Sequence, residues 1–455
     1  MLTLLSFLAA LGVLVAIHEY GHYRVAKSLG VKILRFSVGF GPVIASFRRG
    51  PDNTEFALSA IPLGGYVKML DEREEEVPAC DRHRAFNNQS VGVRSAIVVA
   101  GPLANFVLAI VAYWGMFLLG VSGPQPQVGR VVEGSPAALA GLQAGDQILA
   151  VEGKATRIWD NVVATTVDAI LDARAVSLLV RTQEGDEREV RIDFSPYSVD
   201  DLTRRDFFRR VGLEPRRAHV PADIGEIVPG GAADIGGLRT GDRIMRVDGM
   251  EITDWFDWVD AVRENPARAL SVVVERGGRT VELTITPRAE ESDGRLVGKV
   301  GAGGVQPKDT GEGIPFATEQ YGPWDALREG ASRTATTTLT TLKFLASLVT
   351  GDASLKHLTG PVSIARVAGA SARLGLPRFL EFLGLMSVSL AVLNLLPIPL
   401  LDGGHLMYYL LESIMRRPLP ERVQALGQQV GLVLLVGLMV IANYNDLMPY
   451  LARLF

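Results

Sequence analysis

Four stretches of this chain are too apolar to be ordinary surface helices. Residues 1–17 carry no charge. Extended through His18-Glu19-Tyr20-Gly21-His22 they make a helix about 33 Å long, enough to cross a hydrocarbon core of about 30 Å. No Lys or Arg precedes Arg24, so the basic start of a cleaved signal peptide is missing. Residues 96–121 form a second span, 26 residues without a charge. The third predicted span is 382–401, preceded by Glu381, and the fourth and shortest is 430–444. Arg24, Lys27, Lys32, Arg35 and Arg94 lie between spans one and two, and Arg416, Arg417 and Arg422 between three and four. The positive-inside rule places both loops in the cytoplasm. The insert 122–381 and both termini are then expected outside.

The insert contains a repeat. Residues 131–154 (VVEGSPAALAGLQAGDQILAVEGK) and 227–250 (IVPGGAADIGGLRTGDRIMRVDGM) are offset by 96 positions and share ten of 24. A strand, a small-residue helix, Gly-Leu-x-x-Gly-Asp and an apolar strand recur in each, so two copies of one small domain are predicted rather than a solenoid. Gly141-Leu142-x-x-Gly145-Asp146 and Gly237-Leu238-x-x-Gly241-Asp242 resemble the PDZ domain of bacterial proteases. Such domains hold extended peptides at a sheet edge; 128–131 and 224–227 are the expected groove strands. A pair of structural β-modules without ligand is the alternative. Residues 324–349 read as an amphipathic helix, lying on the membrane surface or packed on the second repeat.

Composition narrows the class. The 455 residues suggest about three units. Hydrophobic residues make up 48% and charged residues 21%, with a mean hydropathy of +0.21, which argues against a disordered or a fully soluble protein. A net charge of −4 offers no footprint for nucleic acid. A lone cysteine, Cys80, excludes an intrachain disulfide framework and a multi-cysteine metal site.

The chemistry gathers in two places. His18 and His22 share one helix face, so both imidazoles can hold one metal, and Glu19 beside them can act as base on a water. Ionisable groups at the end of an apolar span are functional by default. Two histidines leave zinc short of a protein ligand. The segment Asn394-Leu-Leu-Pro-Ile-Pro-Leu-Leu-Asp402-Gly-Gly-His405 offers Asp402 first and His405 second. Asp402 could equally begin a helix as its cap. Spans one and three run in the same direction, and His18, about 26 Å down the first, meets Asp402 at similar depth. Pro397 and Pro399 break the third span, and irregular backbone at that depth must face protein or a water-filled cavity. His83, His219 and His357 lie elsewhere in the chain.

Together HEYGH at 18–22, Gly101-Pro102-x-x-Asn105 and NLLPIPLLDGG at 394–404 resemble the site-2 protease family, with tandem PDZ-like domains inserted between spans two and three. The resemblance implies a multi-pass α-helical membrane protein of four spans, two α+β PDZ-like domains and a membrane-associated β-region. The expected segments are 1–24 (span one), 25–92 (loop with the β-region), 93–121 (span two), 122–218 and 219–290 (PDZ-like), 291–378 (linker with the amphipathic helix), 379–404 (span three), 405–428 (loop) and 429–448 (span four). It implies a zinc metalloendopeptidase: Zn2+ on His18, His22 and Asp402, Glu19 as general base, Asn394 and Asn105 beside the substrate. Residues 31–70, including Gly64, Gly65 and Tyr66, match the β-region thought to pair with an unwound substrate. The implied partner is a pre-trimmed single-pass membrane protein such as an anti-sigma factor, or a remnant signal peptide. The implied setting is a bacterial inner membrane, with the PDZ-like domains periplasmic, holding peptide or trimmed ectodomain, and the active site near the cytoplasm. Another divalent metal could use the same ligands. Rival classes are a zinc transporter or receptor and an inactive PDZ scaffold. A transporter favours more spans and an inverted repeat in the membrane, and a scaffold has no use for Glu19.

Overall fold

The computed structural model describes residues 1–202, 207–217, 219–292, 295–305 and 315–451. Among the described residues, four helices are long and apolar enough to cross a membrane: Leu2–Ser28, Val91–Leu119, Leu376–Leu395 and Glu421–Leu451. The second is the hub, packing against the first and the third. Small residues bring the backbones together. A Cβ on Gly21 would overlap the carbonyl oxygen of Ala100, and one on Gly384 would lie 2.9 Å from the Tyr113 ring. Ser387 donates its hydroxyl to the backbone oxygen of Asn105 at 2.7 Å, a bond across the buried second–third seam.

Two helix limits differ from expectation. The fourth apolar helix has 31 residues and is the longest, because helical backbone continues through the polar flank from Glu421 that a hydropathy limit cuts off. The third stops at Leu395, not at 401, since Pro397 and Pro399 supply no N–H to continue it. The chain then turns through Leu400 at φ 93° and starts a new helix, Asp402–Met415, where a loop was expected.

After the first helix comes a long antiparallel hairpin, Ile33–Arg49 with Thr54–Met69. Its base packs on the first helix, with Phe36 and Phe56 at 5.7 and 5.5 Å from the ring of Tyr23. Its far half exposes Phe40, Val43, Ile44 and Phe47. Arg84 grips Asp52 in the turn with two bonds of 2.7 and 2.6 Å.

The repeat is structural. Each inserted unit holds a four-stranded sheet of the same order: Lys154–Ala155, Gln147–Val151, Ala175–Arg181, Glu187–Asp193 in one, and Met250–Glu251, Arg243–Val247, Leu270–Arg276, Arg279–Ile285 in the other. The aspartate of each Gly-Asp pair is buried and fastens its own turn. Asp146 accepts from the Gln143 N–H and from Arg188, and Asp242 from the Arg239 N–H and from Arg276. The expected groove strands are each paired along one edge. Val128 bridges Pro215, and Ile224–Ile227 pairs with Ala302–Gly304. The second unit therefore runs past 290 to at least Gly304, and Val300 sits in its core.

The amphipathic helix spans Pro323–Thr350. It packs along the second and third apolar helices and against Trp159–Leu171 of the first inserted unit. A Cβ on Gly330 would come within 2.9 Å of the Trp114 nitrogen, so the two helices meet backbone to backbone. Lys343 on its other side binds Asp168 and Asp172 at 2.9 and 2.8 Å.

Candidate metal centre

His18 and His22 sit one helical turn apart and are buried. Their Nε2 atoms are 3.3 Å apart. Oδ2 of Asp402 completes a triangle, 3.2 Å from His18 Nε2 and 3.5 Å from His22 Nε2. This oxygen is buried and has no hydrogen-bond partner. Among the described residues the three form the one His/Cys/Asp/Glu group able to hold a metal; His405, the second candidate, is not in it. Asp402 opens its helix, but Leu401 takes the cap position and no side-chain cap bond forms, which leaves the carboxylate for the triangle.

The sequence explains how Asp402 gets there. Gly403 and Gly404 lie under the folded loop: added Cβ atoms would overlap the carbonyl oxygens of Leu395, Leu396 and Ile398. Only glycines let 396–401 fold back tightly enough to deliver Asp402. The second helix receives the imidazoles. Gly101 faces them, and a Cβ there would overlap His22 Nε2 and stand 2.9 Å from His18 Cε1. This glycine makes room for the ring pair. The Ile97 carbonyl accepts from His22 Nδ1 at 2.8 Å. That contact is made by backbone, so no residue type announces it. Asn105 Nδ2 lies 3.2 Å from His18 Nδ1, and Asn105 is fully buried.

The hairpin meets Glu19. A Cβ on Gly65 would lie 3.0 Å from Glu19 Cγ, 2.9 Å from Val15 and 2.6 Å from the Ser37 carbonyl oxygen. Gly64 has φ 101°, and Tyr66 accepts from Arg35 at 3.0 Å while its ring stacks on Phe40. Asn394 is half-buried in the last turn of the third helix, ahead of the loop that carries Asp402. Of the other histidines, His357 is paired with Asp200 at 2.5 Å, far along the chain from the triangle.

The model of peptidase family M50 matches residues 6–438. The regulator of sigma-E protease RseP of Escherichia coli is 42% identical over 449 residues, covering 97% of this chain and 98% of that one. A putative zinc metalloprotease of Neisseria meningitidis is 41% identical over 448 residues, with 98% of each chain covered. A putative zinc metalloprotease of Vibrio cholerae is 39% identical over 446 residues, with 97% of each covered. The solved structure of the HtrA-type protease AlgW with decapeptide aligns with 25% of this chain and 48% of its own, at 16% identity and a TM-score of 0.14, a likeness too slight to carry an argument. Over nearly its whole length, the chain belongs to peptidase family M50, the site-2 protease family that its motifs resemble.

Proposed function

We propose that this protein is an intramembrane zinc metalloprotease whose metal is held by His18, His22 and Asp402. One observation carries the reading. Ligand atoms about 2.0–2.1 Å from a tetrahedral zinc stand roughly 3.3–3.4 Å apart. The three edges of the triangle are 3.2, 3.3 and 3.5 Å. An orphaned buried carboxylate oxygen facing two imidazole nitrogens is costly without a cation between them. The relatives named as zinc metalloproteases support the choice of metal.

The chemistry a bound zinc supplies is Lewis acidity, which polarises the scissile carbonyl and lowers the pKa of the attacking water. Glu19 takes the water proton and returns it to the leaving amine. A helix shields its own carbonyls, so the target must be extended first. The hairpin strand at Gly64, Gly65 and Tyr66 runs beside Glu19 and offers main-chain hydrogen bonds to such a strand. Asn394 holds the substrate from the other side.

The substrate is a single-pass membrane protein already trimmed on its outer side, of the anti-sigma-factor kind; remnant signal peptides fit the same site. The relative named regulator of sigma-E protease supports that class. The protein sits in a bacterial inner membrane, with the two PDZ-like units in the periplasm and the metal near the cytoplasmic side, and the units filter out bulky ectodomains. Removing both should permit cleavage of untrimmed substrate; unchanged selectivity would count against the filter. The metal assignment is tested with Asp402→Ala. Zinc content should fall well below one per chain and cleavage of a single-pass substrate should stop. Zinc retained at wild-type affinity would refute the ligand set.

A further inference from the structure

We propose that Asn105 is a positioning residue for His18 rather than a substrate contact, an inference that rests on the zinc site proposed above. A neutral imidazole offers one nitrogen to a metal when its other nitrogen carries the proton, and an acceptor on that N–H fixes the tautomer and the ring. For His22 the acceptor is the Ile97 carbonyl, 2.8 Å from Nδ1, which leaves Nε2 free to bind. His18 Nδ1 meets the Asn105 amide instead, at 3.2 Å from Nδ2. Oδ1 of that amide is buried and has no partner.

An Asn amide exchanges its two ends by a half-turn about χ2. With Nδ2 toward His18, the amide donates into the Nδ1 lone pair, and the His18 proton must sit on Nε2, facing Asp402. With Oδ1 toward His18, the amide accepts from Nδ1–H and frees Nε2 for the metal. Metal binding therefore selects the second orientation, which also gives Oδ1 the partner it lacks. Asn105 has no exposed surface, and its backbone oxygen is tied to Ser387, so the side chain cannot reach substrate without abandoning His18. Ile97, Gly101 and Asn105 follow at intervals of four on one face of the second helix. One helix stripe thus orients His22, clears space for both rings and orients His18.

The test uses the full-length protein in detergent, with zinc affinity measured by chelator competition and cleavage measured at saturating zinc. Asn105→Leu removes the acceptor and should weaken zinc binding by about 10–100-fold. Asn105→Asp, whose carboxylate still accepts from Nδ1–H, should bind zinc within a few-fold of wild type. Wild-type zinc affinity in Asn105→Leu together with lost cleavage overturns the proposal and makes Asn105 a substrate contact. If Asn105→Leu does not fold, Asn105→Asp decides: retained affinity supports the proposal, and a more than tenfold loss overturns it. A wild-type protein that binds no zinc removes the metal site itself, an outcome distinct from either variant result.

Discussion

Replacing Gly101 by Ala separates helix stability from the metal site, because the two effects have opposite signs. In a helix interior Ala is better than Gly by about 1 kcal/mol, so propensity alone predicts a gain. The structure predicts a loss. The new Cβ would overlap His22 Nε2 and stand 2.5 Å from His22 Cε1 and 2.9 Å from His18 Cε1. Neither ring can step aside freely. His22 is held by Ile97, 2.8 Å away, and His18 lies against Asn105, 3.2 Å away. Pushing the rings off the triangle should cost at least tenfold in zinc affinity, or about 1.4 kcal/mol, and full loss of zinc present at 100 times its Kd removes about 2.7 kcal/mol of stabilisation. The site effect therefore outweighs the propensity gain. Gly115→Ala on the same helix is the control, since its Cβ would meet only the end of the Leu380 side chain at 3.2 Å. The assay is thermal unfolding with and without a zinc chelator. On chelation Gly101→Ala should lose no more than about half of the stabilisation that wild type and Gly115→Ala lose. A Gly101→Ala protein that keeps the wild-type zinc-dependent shift would refute the argument.

Gly65→Val should leave zinc bound but lower cleavage at least tenfold, because its side chain would press on Glu19 and on the Ser37 backbone; unchanged turnover would remove the hairpin from the site. Lys343→Ala should raise amide exchange where the amphipathic helix meets Trp159–Leu171, yet change global stability by less than about 1 kcal/mol, since the ion pair is partly exposed. Equal exchange in variant and wild type would argue against the tie. Burial raises the Asp242 pKa, but the Arg276 and Arg239 N–H bonds outweigh it and hold the carboxyl below its ordinary value. A lowered folded-state pKa contributes stability that is present above the unfolded value and is lost as pH falls through the folded one. Acid should therefore loosen the second inserted unit only below the ordinary aspartate range, and Asp242→Asn should flatten that limb, read as amide protection at Ile244 and Val247 against pH. A steep acid limb retained in the variant would assign the effect to another group.

The meeting of His18, His22 and Asp402 was legible in the sequence because its information is local. HEYGH places two rings on one face by helix geometry alone, and Pro397, Pro399 and the Gly403-Gly404 pair mark a chain that turns back to deliver Asp402. His405 was a reasonable rival by composition, and the fold leaves it out because Leu400 and the two glycines set Asp402 at the start of the next helix. The misplaced features depend on pairing between distant segments. Val128 meets Pro215 and Ile224–Ile227 meets 302–304 across long stretches of chain, and Ala302-Gly303-Gly304 has no strand propensity to announce the pairing. The amphipathic helix showed its two faces in the sequence but not its partner, which Gly330 identifies only once Trp114 lies against it. The roles of Gly101 and of the Ile97 carbonyl were hidden for the same reason, since one supplies space and the other backbone.

The most direct test of the account compares wild type with Glu19→Gln for bound zinc and for cleavage of a single-pass membrane substrate. The account predicts about one zinc per chain in both, the three ligands being intact, and cleavage by wild type alone. Equal cleavage by Glu19→Gln, or cleavage by wild-type protein stripped of metal, would contradict it.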